Sequence, residues 1–226
     1  MEKPFVSIVI PTLNEEKNLK TLLPDLINEL KDYKYEIIVV DGHSKDKTVE
    51  IAKKFGCKVF YENKGKGYAL RLGFKKARGD IIISMDADLS HRPKEARLLI
   101  EGIKIGYDIA MGSRFIIGGG SSDMPFYRKW GNKFFVFLVN LLFKGEYTDL
   151  CYGYRAFNRK ALKKLNLKED GFGIETEISI KELNNKLKII EIPSFEKKRE
   201  YGNGKLRTFR DGYVILKTII LNLFSR

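Results

Sequence analysis

The first hundred residues repeat one pattern: a short apolar run ends on a polar or turn residue, and a stretch with helical spacing follows. Residues 5–10 are apolar except for Ser7 and stop at Pro11, which suits a buried strand. Asn14 stands where a helix cap is expected, with Glu15 and Glu16 in the first turn. Leu19, Leu22, Leu23, Leu26, Ile27 and Leu30 then share one helical face. Pro24 interrupts that face and is expected to kink the helix or move its start. A second strand over 35–40 precedes a helix capped by Ser44 and closed at Gly56. A third strand over 57–61, a helix over 66–78 and a fourth strand over 80–85 complete the series. Repeated strand–helix–strand order predicts an α/β fold with a mainly parallel central sheet flanked by helices on both faces.

The second half is less regular. It suggests a strand at 108–112, a mobile loop over 118–122, helices at 125–144, about 174–184 and about 208–224, and a strand at 187–192. The 226 residues suit a single domain, and 43% hydrophobic with 31% charged side chains excludes a disordered chain. The net charge of +13 is uneven: residues 1–100 carry +4 and residues 101–226 carry +9. The second half is therefore expected to face phosphates, in a nucleotide, a nucleic acid or an anionic lipid surface. Cys57 and Cys151 form no CxxC pair, which fits a reduced intracellular setting. No signal-peptide pattern opens the chain and no run of about 18 apolar residues appears.

Chemistry is concentrated where strands end. Asp86-Ala87-Asp88 follows the fourth strand directly, and Asp41 follows the second. Ligands of open α/β sheets bind beyond the carboxyl ends of the strands, so the three acids are expected on one rim. Two carboxylates one residue apart repel each other unless a cation intervenes. Mg²⁺ or Mn²⁺ suits carboxylate and phosphate oxygens, and the same ion neutralises a leaving diphosphate. Alone, an Asp-x-Asp pair also occurs in solvated loops.

Several segments together are more specific. Val9-Ile10-Pro11-Thr12-Leu13-Asn14-Glu15, Val39-Val40-Asp41-Gly42-His43-Ser44-Lys45-Asp46-Lys47-Thr48 and Asp86-Ala87-Asp88-Leu89-Ser90-His91-Arg92-Pro93 resemble the family 2 inverting glycosyltransferases. Gly112-Ser113-Arg114-Phe115, Asp149 with Gly153-Tyr154-Arg155, and Tyr201-Gly202-Asn203-Gly204-Lys205-Leu206 resemble the branch of dolichol-phosphate mannose synthases and dolichyl-phosphate glucosyltransferases.

The resemblance implies a GT-A-type fold with a nucleotide-sugar-binding half over 1–112 and an acceptor-binding half over 113–226. It implies that Pro11, Glu15 and Asp41 hold the nucleoside, with Asp41 facing the base, and that Lys66 lies near base and phosphates. Asp86 and Asp88 match the metal-binding pair. Arg114, Arg128 and Asn132 match positions for a lipid phosphate, and Arg199 and Lys205 match a basic loop over the diphosphate. Three positions depart from the pattern: Leu13 replaces an aromatic residue, Gly42 a second acid, and Ser90 a glutamine.

The implied reaction moves a hexose from a UDP- or GDP-sugar to polyprenyl (dolichyl) phosphate, peripherally at the cytoplasmic face of a membrane. A phosphate acceptor is already ionised and needs cations rather than a strong base; arginine forks suit that task. A saccharide or protein hydroxyl acceptor would need a base, for which Asp149 is the candidate. Asp149 equally suits a salt bridge to Arg155 or another cation. Arg128, Lys129, Lys144, Arg210, Lys217 and Arg226 border the apolar segments 126–143 and 213–224, which suit either the core or a membrane interface. His91 is expected on a surface loop. The segment Gly65-Lys66-Gly67 follows the third strand and lacks the third glycine of a dinucleotide fingerprint. A basic nucleic-acid-binding domain is disfavoured, because no base-stacking strand or helix-turn-helix pattern is present.

Overall fold

The computed structural model describes residues 5–202 and 208–224. The elements run β1 (Phe5–Thr12), α1 (Glu16–Leu30), β2 (Lys34–Asp41), α2 (Thr48–Lys54), β3 (Lys58–Tyr61), α3 (Lys66–Lys76) and β4 (Ile81–Ser84). There follow α4 (Ala96–Lys104), β5 (Ile109–Ser113), β6 (Gly120–Ser121), α5 (Phe126–Phe143), β7 (Arg155–Asn158) and α6 (Arg159–Lys164). The last are α7 (Ile174–Asn184), β8 (Ile189–Pro193), β9 (Phe195–Glu196) and α8 (Thr208–Leu223).

Seven strands make one sheet in the order β3-β2-β1-β4-β7-β5-β8. β1 pairs in parallel with β2 and β4, β2 with β3, and β5 with β8; β7 alone runs antiparallel, between β4 and β5. Alternation along β1 divides the core between two faces. Val6, Ile8 and Ile10 pack against Leu19, Leu22, Leu23, Leu26 and Leu30 of α1 and Leu99, Ile100 and Ile103 of α4. Val9 faces the other side, with Leu70 and Phe74 of α3 and Ile174 and Ile178 of α7. A third apolar cluster joins Val139 and Phe143 of α5, Ile180 of α7, and Ile215 and Ile219 of α8 to Met111.

Several local expectations are corrected. Asn14 does not cap α1: its backbone is left-handed, and its side chain accepts from Lys45 N. Pro24 sits inside an uninterrupted helix that already begins at Glu16. Ser44 does not cap α2, which starts at Thr48, because its hydroxyl is committed to Asp41. The 118–122 segment contains a short strand, β6, paired in parallel with β9. β7 was hidden because Arg155-Ala156-Phe157-Asn158 is too short to show a period.

The approach of α3 to the sheet depends on Gly73. A Cβ there would lie 2.2 Å from Val9 Cγ1, so the helix can lie this close only without a side chain. That packing delivers Lys66, at the first turn of α3, to the carboxyl end of β4. Gly73→Ala is expected to destabilise the protein by about 1–3 kcal/mol through overpacking, read as a lowered denaturant midpoint.

Candidate active site

Beyond β4 the chain turns through Asp86, Ala87 and Asp88, and Met85 N still donates to Val9 O at 3.0 Å. The two acids are compensated from different elements. Lys66 Nζ lies 2.9 Å from Asp86 Oδ1 and 2.8 Å from Glu175 Oε1 on α7. Arg199 Nη2 donates to Asp88 Oδ2 at 2.5 Å. Ser90 supplies both its amide and its hydroxyl to Asp88 Oδ1, at 3.1 and 2.6 Å. Burial pushes the Asp86 carboxyl up, but Lys66 above all, with Arg199, brings it down to about 2. Burial likewise opposes the Lys66 charge, and Asp86 and Glu175 together hold its pKa above the ordinary lysine range.

His91 is not on the surface, as the sequence suggested, but is buried. Its ring stacks on Tyr154 at 4.7 Å and meets Tyr152 edge-on at 4.7 Å. Nδ1 accepts the Asp86 amide proton at 3.1 Å, and burial lowers the imidazole pKa below its usual value. The neutral ring therefore carries its proton on Nε2. Polar sequence neighbours hid this: the aromatic residues that enclose His91 lie some sixty positions away, in the segment leading into β7.

Glu175 was missed by sequence reasoning. Its signal was Gly171-Phe172-Gly173 followed by two acids in the first turn of a helix, which reads as ordinary dipole complementation. Among the described residues, no group of three or more His, Cys, Asp or Glu side chains gathers as a metal cage. Asp86 and Asp88 do present hard oxygen donors from one short turn. That donor set fits Mg²⁺ or Mn²⁺ completed by phosphate and water, and does not fit a self-sufficient protein cage.

Asp41 shares the rim without joining this cluster, because β1 lies between β2 and β4. It is fully buried, accepting from Ser44 N at 2.8 Å, Ser44 Oγ at 2.5 Å and Thr12 Oγ1 at 3.1 Å. Pro11 lies near the end of β1, and buried Glu15 accepts from Asn18 Nδ2 at 2.6 Å.

On the other side of β4, Arg114 and Asp149 hold each other. Arg114 Nε and Nη2 donate to the two Asp149 oxygens at 2.7 and 2.9 Å, and Nη1 donates to Glu196 Oε1 at 3.0 Å. Burial opposes the Arg114 charge, and Asp149 more than restores it. The partner of Asp149 is thus Arg114, while Arg155 pairs with Glu182 at 3.2 Å. The turn carrying Asp149 is fixed by side chains at nearly every step. Asn140 bonds both backbone groups of Tyr147, and Glu191 accepts from Thr148 N and Asp149 N. Asn132 Oδ1 accepts from Leu150 N and Cys151 N, and its buried Nδ2 has no partner among the described residues. Arg128 is partly exposed in the first turn of α5. Lys205 lies outside the described residues.

α5 and α8 each bury one side and expose an apolar other. Phe126, Trp130, Phe134, Phe137 and Leu141 are exposed on α5, and Tyr213, Ile220 and Leu221 on α8, with Phe224 just beyond its end. The core alternative raised by the sequence therefore holds for the packed face of each helix. No described helix is long and apolar enough to cross a membrane.

The sheet order, the carboxylate pair beyond β4 and the flanking helices define a GT-A glycosyltransferase fold. A solved structure with this fold is the glucosyl-3-phosphoglycerate synthase of Mycobacterium tuberculosis, in complex with Mn²⁺, UDP and glucosyl-3-phosphoglycerate. It matches with a TM-score of 0.76 over 98% of this chain and 80% of that one, at 22% identity. Residues 7–166 match the family described as Glycosyl transferase family 2, and the chain belongs to that family. The dolichol-phosphate mannosyltransferase of Pyrococcus furiosus is 38% identical over 210 residues, which are 89% of this chain and 59% of that protein. The polyprenol monophosphomannose synthase of Mycolicibacterium smegmatis is 30% identical over 217 residues, 88% of this chain and 80% of that protein.

His91→Phe keeps the ring stack but leaves the partly buried Asp86 amide without its acceptor. It is expected to cost about 1–3 kcal/mol, measured by urea unfolding.

Proposed function

We propose that this chain is a metal-dependent inverting glycosyltransferase that moves a hexose from a UDP- or GDP-sugar to a polyprenyl phosphate. The carrying observation is the carboxylate pair Asp86 and Asp88 at the carboxyl end of β4, enclosed by Lys66 and Arg199. Asp86 and Asp88 would hold Mg²⁺ or Mn²⁺. Such an ion, when bound, withdraws charge from the departing diphosphate. Ser90 fixes the orientation of Asp88, and His91 fixes the backbone that carries Asp86. Lys66 and Arg199 place two cations beside the position of the diphosphate, where they offset negative charge as the sugar bond breaks. The names of the Pyrococcus and Mycolicibacterium relatives support the polyprenyl phosphate acceptor.

The geometry bears on the acceptor too. Both Asp149 oxygens are clasped by Arg114 and the carboxylate is fully buried, which disfavours Asp149 as a base toward a hydroxyl. An ionised phosphate needs no such base. Arg114, Arg128 and Asn132 adjoin the acceptor side; Asn132 supplies the unpaired Nδ2, and Arg114 has two N–H groups beyond its three carboxylate bonds. The exposed apolar faces of α5 and α8, with Lys129, Lys133, Lys144, Arg210 and Lys217 exposed around them, suit peripheral contact with an anionic lipid surface where such an acceptor resides.

The test is incubation of the protein with Mn²⁺, a panel of UDP- and GDP-hexoses and short-chain polyprenyl phosphate. A lipid-linked sugar is expected, and Asp88→Ala is expected to slow its formation by about 100-fold or more. Transfer to a saccharide with no lipid-linked product from any donor would overturn the acceptor assignment.

A further inference from the structure

A cavity of about 430 Å³ lies between α1, the turn that precedes α4 and the segment after β9. Asp25, Asn28 and Glu29 on α1 form one wall, and Arg92, Lys94 and Lys197 the other. α1 begins at the rim of the sheet and advances about 1.5 Å per residue, so Asp25 and Glu29 stand about 14–20 Å along it from Glu16. The cavity is thus set back from the rim, and its volume falls in the range of small-molecule sites.

Arg92 is held in place with its donors unspent. Its guanidinium lies over the Phe195 ring at 4.5 Å, and its carbonyl accepts from Tyr154 Oη at 3.1 Å. The nearest acid, Glu95, stands 4.0 Å from Arg92 Nε, beyond hydrogen-bond reach. The Glu95 oxygens are already engaged, by Ser194 Oγ at 2.5 Å and Phe195 N at 3.2 Å. The Arg92 guanidinium therefore makes no hydrogen bond among the described residues, and the exposed part of the side chain lines the cavity. A fixed guanidinium with free N–H groups is a receptor for an oxyanion. Lys94 and Lys197 are exposed beside it and form no ion pair among the described residues. On the facing wall Glu29 is held by Arg97 at 3.0 Å, and Asp25 is exposed and unpaired among the described residues. One wall therefore carries excess positive charge, and the other carries hydrogen-bond acceptors and the Asn28 amide.

We propose that this cavity binds a small phosphate monoester bearing hydroxyl groups, in chemical class a sugar phosphate. Its phosphate meets Arg92, Lys94 and Lys197, and its hydroxyls meet Asp25, Asn28 and Glu29. An inorganic anion satisfies only the first wall. A neutral sugar leaves the Arg92 donors without an anion. The site is separate from the Asp86 and Asp88 centre and does not depend on the nucleotide-sugar reading.

Calorimetric titration of the metal-free protein with glucose 6-phosphate, inorganic phosphate and glucose tests this. Glucose 6-phosphate is expected to bind about tenfold or more tightly than inorganic phosphate, and glucose to show no saturable binding. Lys66 and Arg199 are rival phosphate ligands, so variants locate the site. Arg92→Gln is expected to weaken glucose 6-phosphate by about tenfold or more, while Arg199→Gln leaves its affinity unchanged. The double variant Lys94→Gln, Lys197→Gln alters exposed side chains only and is expected to weaken it too, which covers the case of a misfolded Arg92 variant. No saturable binding of glucose 6-phosphate to wild type overturns the proposal. So does binding that survives both sets of cavity substitutions, or that is lost with Arg199→Gln alone. Equal affinity for inorganic phosphate overturns the assignment of the hydroxyl groups to the α1 wall.

Discussion

Two carboxylates one residue apart at the end of a buried strand must be balanced by positive charge, and much of the molecule is arranged around that requirement. Lys66 reaches Asp86 because α3 packs against β1 at Gly73. Arg199 reaches Asp88 from the segment after β9. His91 lends no charge in its neutral form but fixes the backbone between the two acids and the aromatic pair Tyr152 and Tyr154. In the proposed reaction the same cations would face the diphosphate. One set of side chains can thus hold the acids in the ligand-free protein and face the phosphates once a divalent ion takes over the carboxylates.

A second buried electrostatic system stands across β4. Arg114, Asp149 and Glu196 form one cluster, and Arg155, Glu182 and Tyr147 another. Breaking such buried pairs typically costs about 3–5 kcal/mol, so they fix the turn over 147–155 as a rigid unit. Tyr152 joins the two systems: the Arg114 guanidinium lies over its ring at 4.6 Å, and His91 meets its edge. The groups on the two sides of β4 are therefore packed against a common side chain.

The parallel half of the fold was legible because each strand and helix carries its own period. Leu19 through Leu30 mark α1 without any tertiary knowledge, and Asp86-Ala87-Asp88 follows a run of isoleucines that can only be buried. The place of that pair in the fold was legible for the same reason, since both acids lie in one turn after β4. What was hidden depends on distant partners. Glu175 meets Lys66 across more than a hundred residues, and His91 is buried by rings contributed from 152 and 154. Asn14 and Ser44 have the chemistry of helix caps, but hydrogen bonds within the 41–48 turn claim them first. β7 is four residues long, and its antiparallel place between β4 and β5 has no local signature.

The central claim is that Asp86 and Asp88 hold a divalent ion that bridges to a nucleotide diphosphate. A crystal structure with Mn²⁺ and a nucleoside diphosphate, with the ion located by its anomalous scattering, tests it most directly. The account predicts the ion about 2.0–2.4 Å from oxygens of that carboxylate pair and of the diphosphate, with Arg199 withdrawn from Asp88. A nucleotide bound with Lys66 and Arg199 still clasping both carboxylates, and the ion elsewhere, would contradict it.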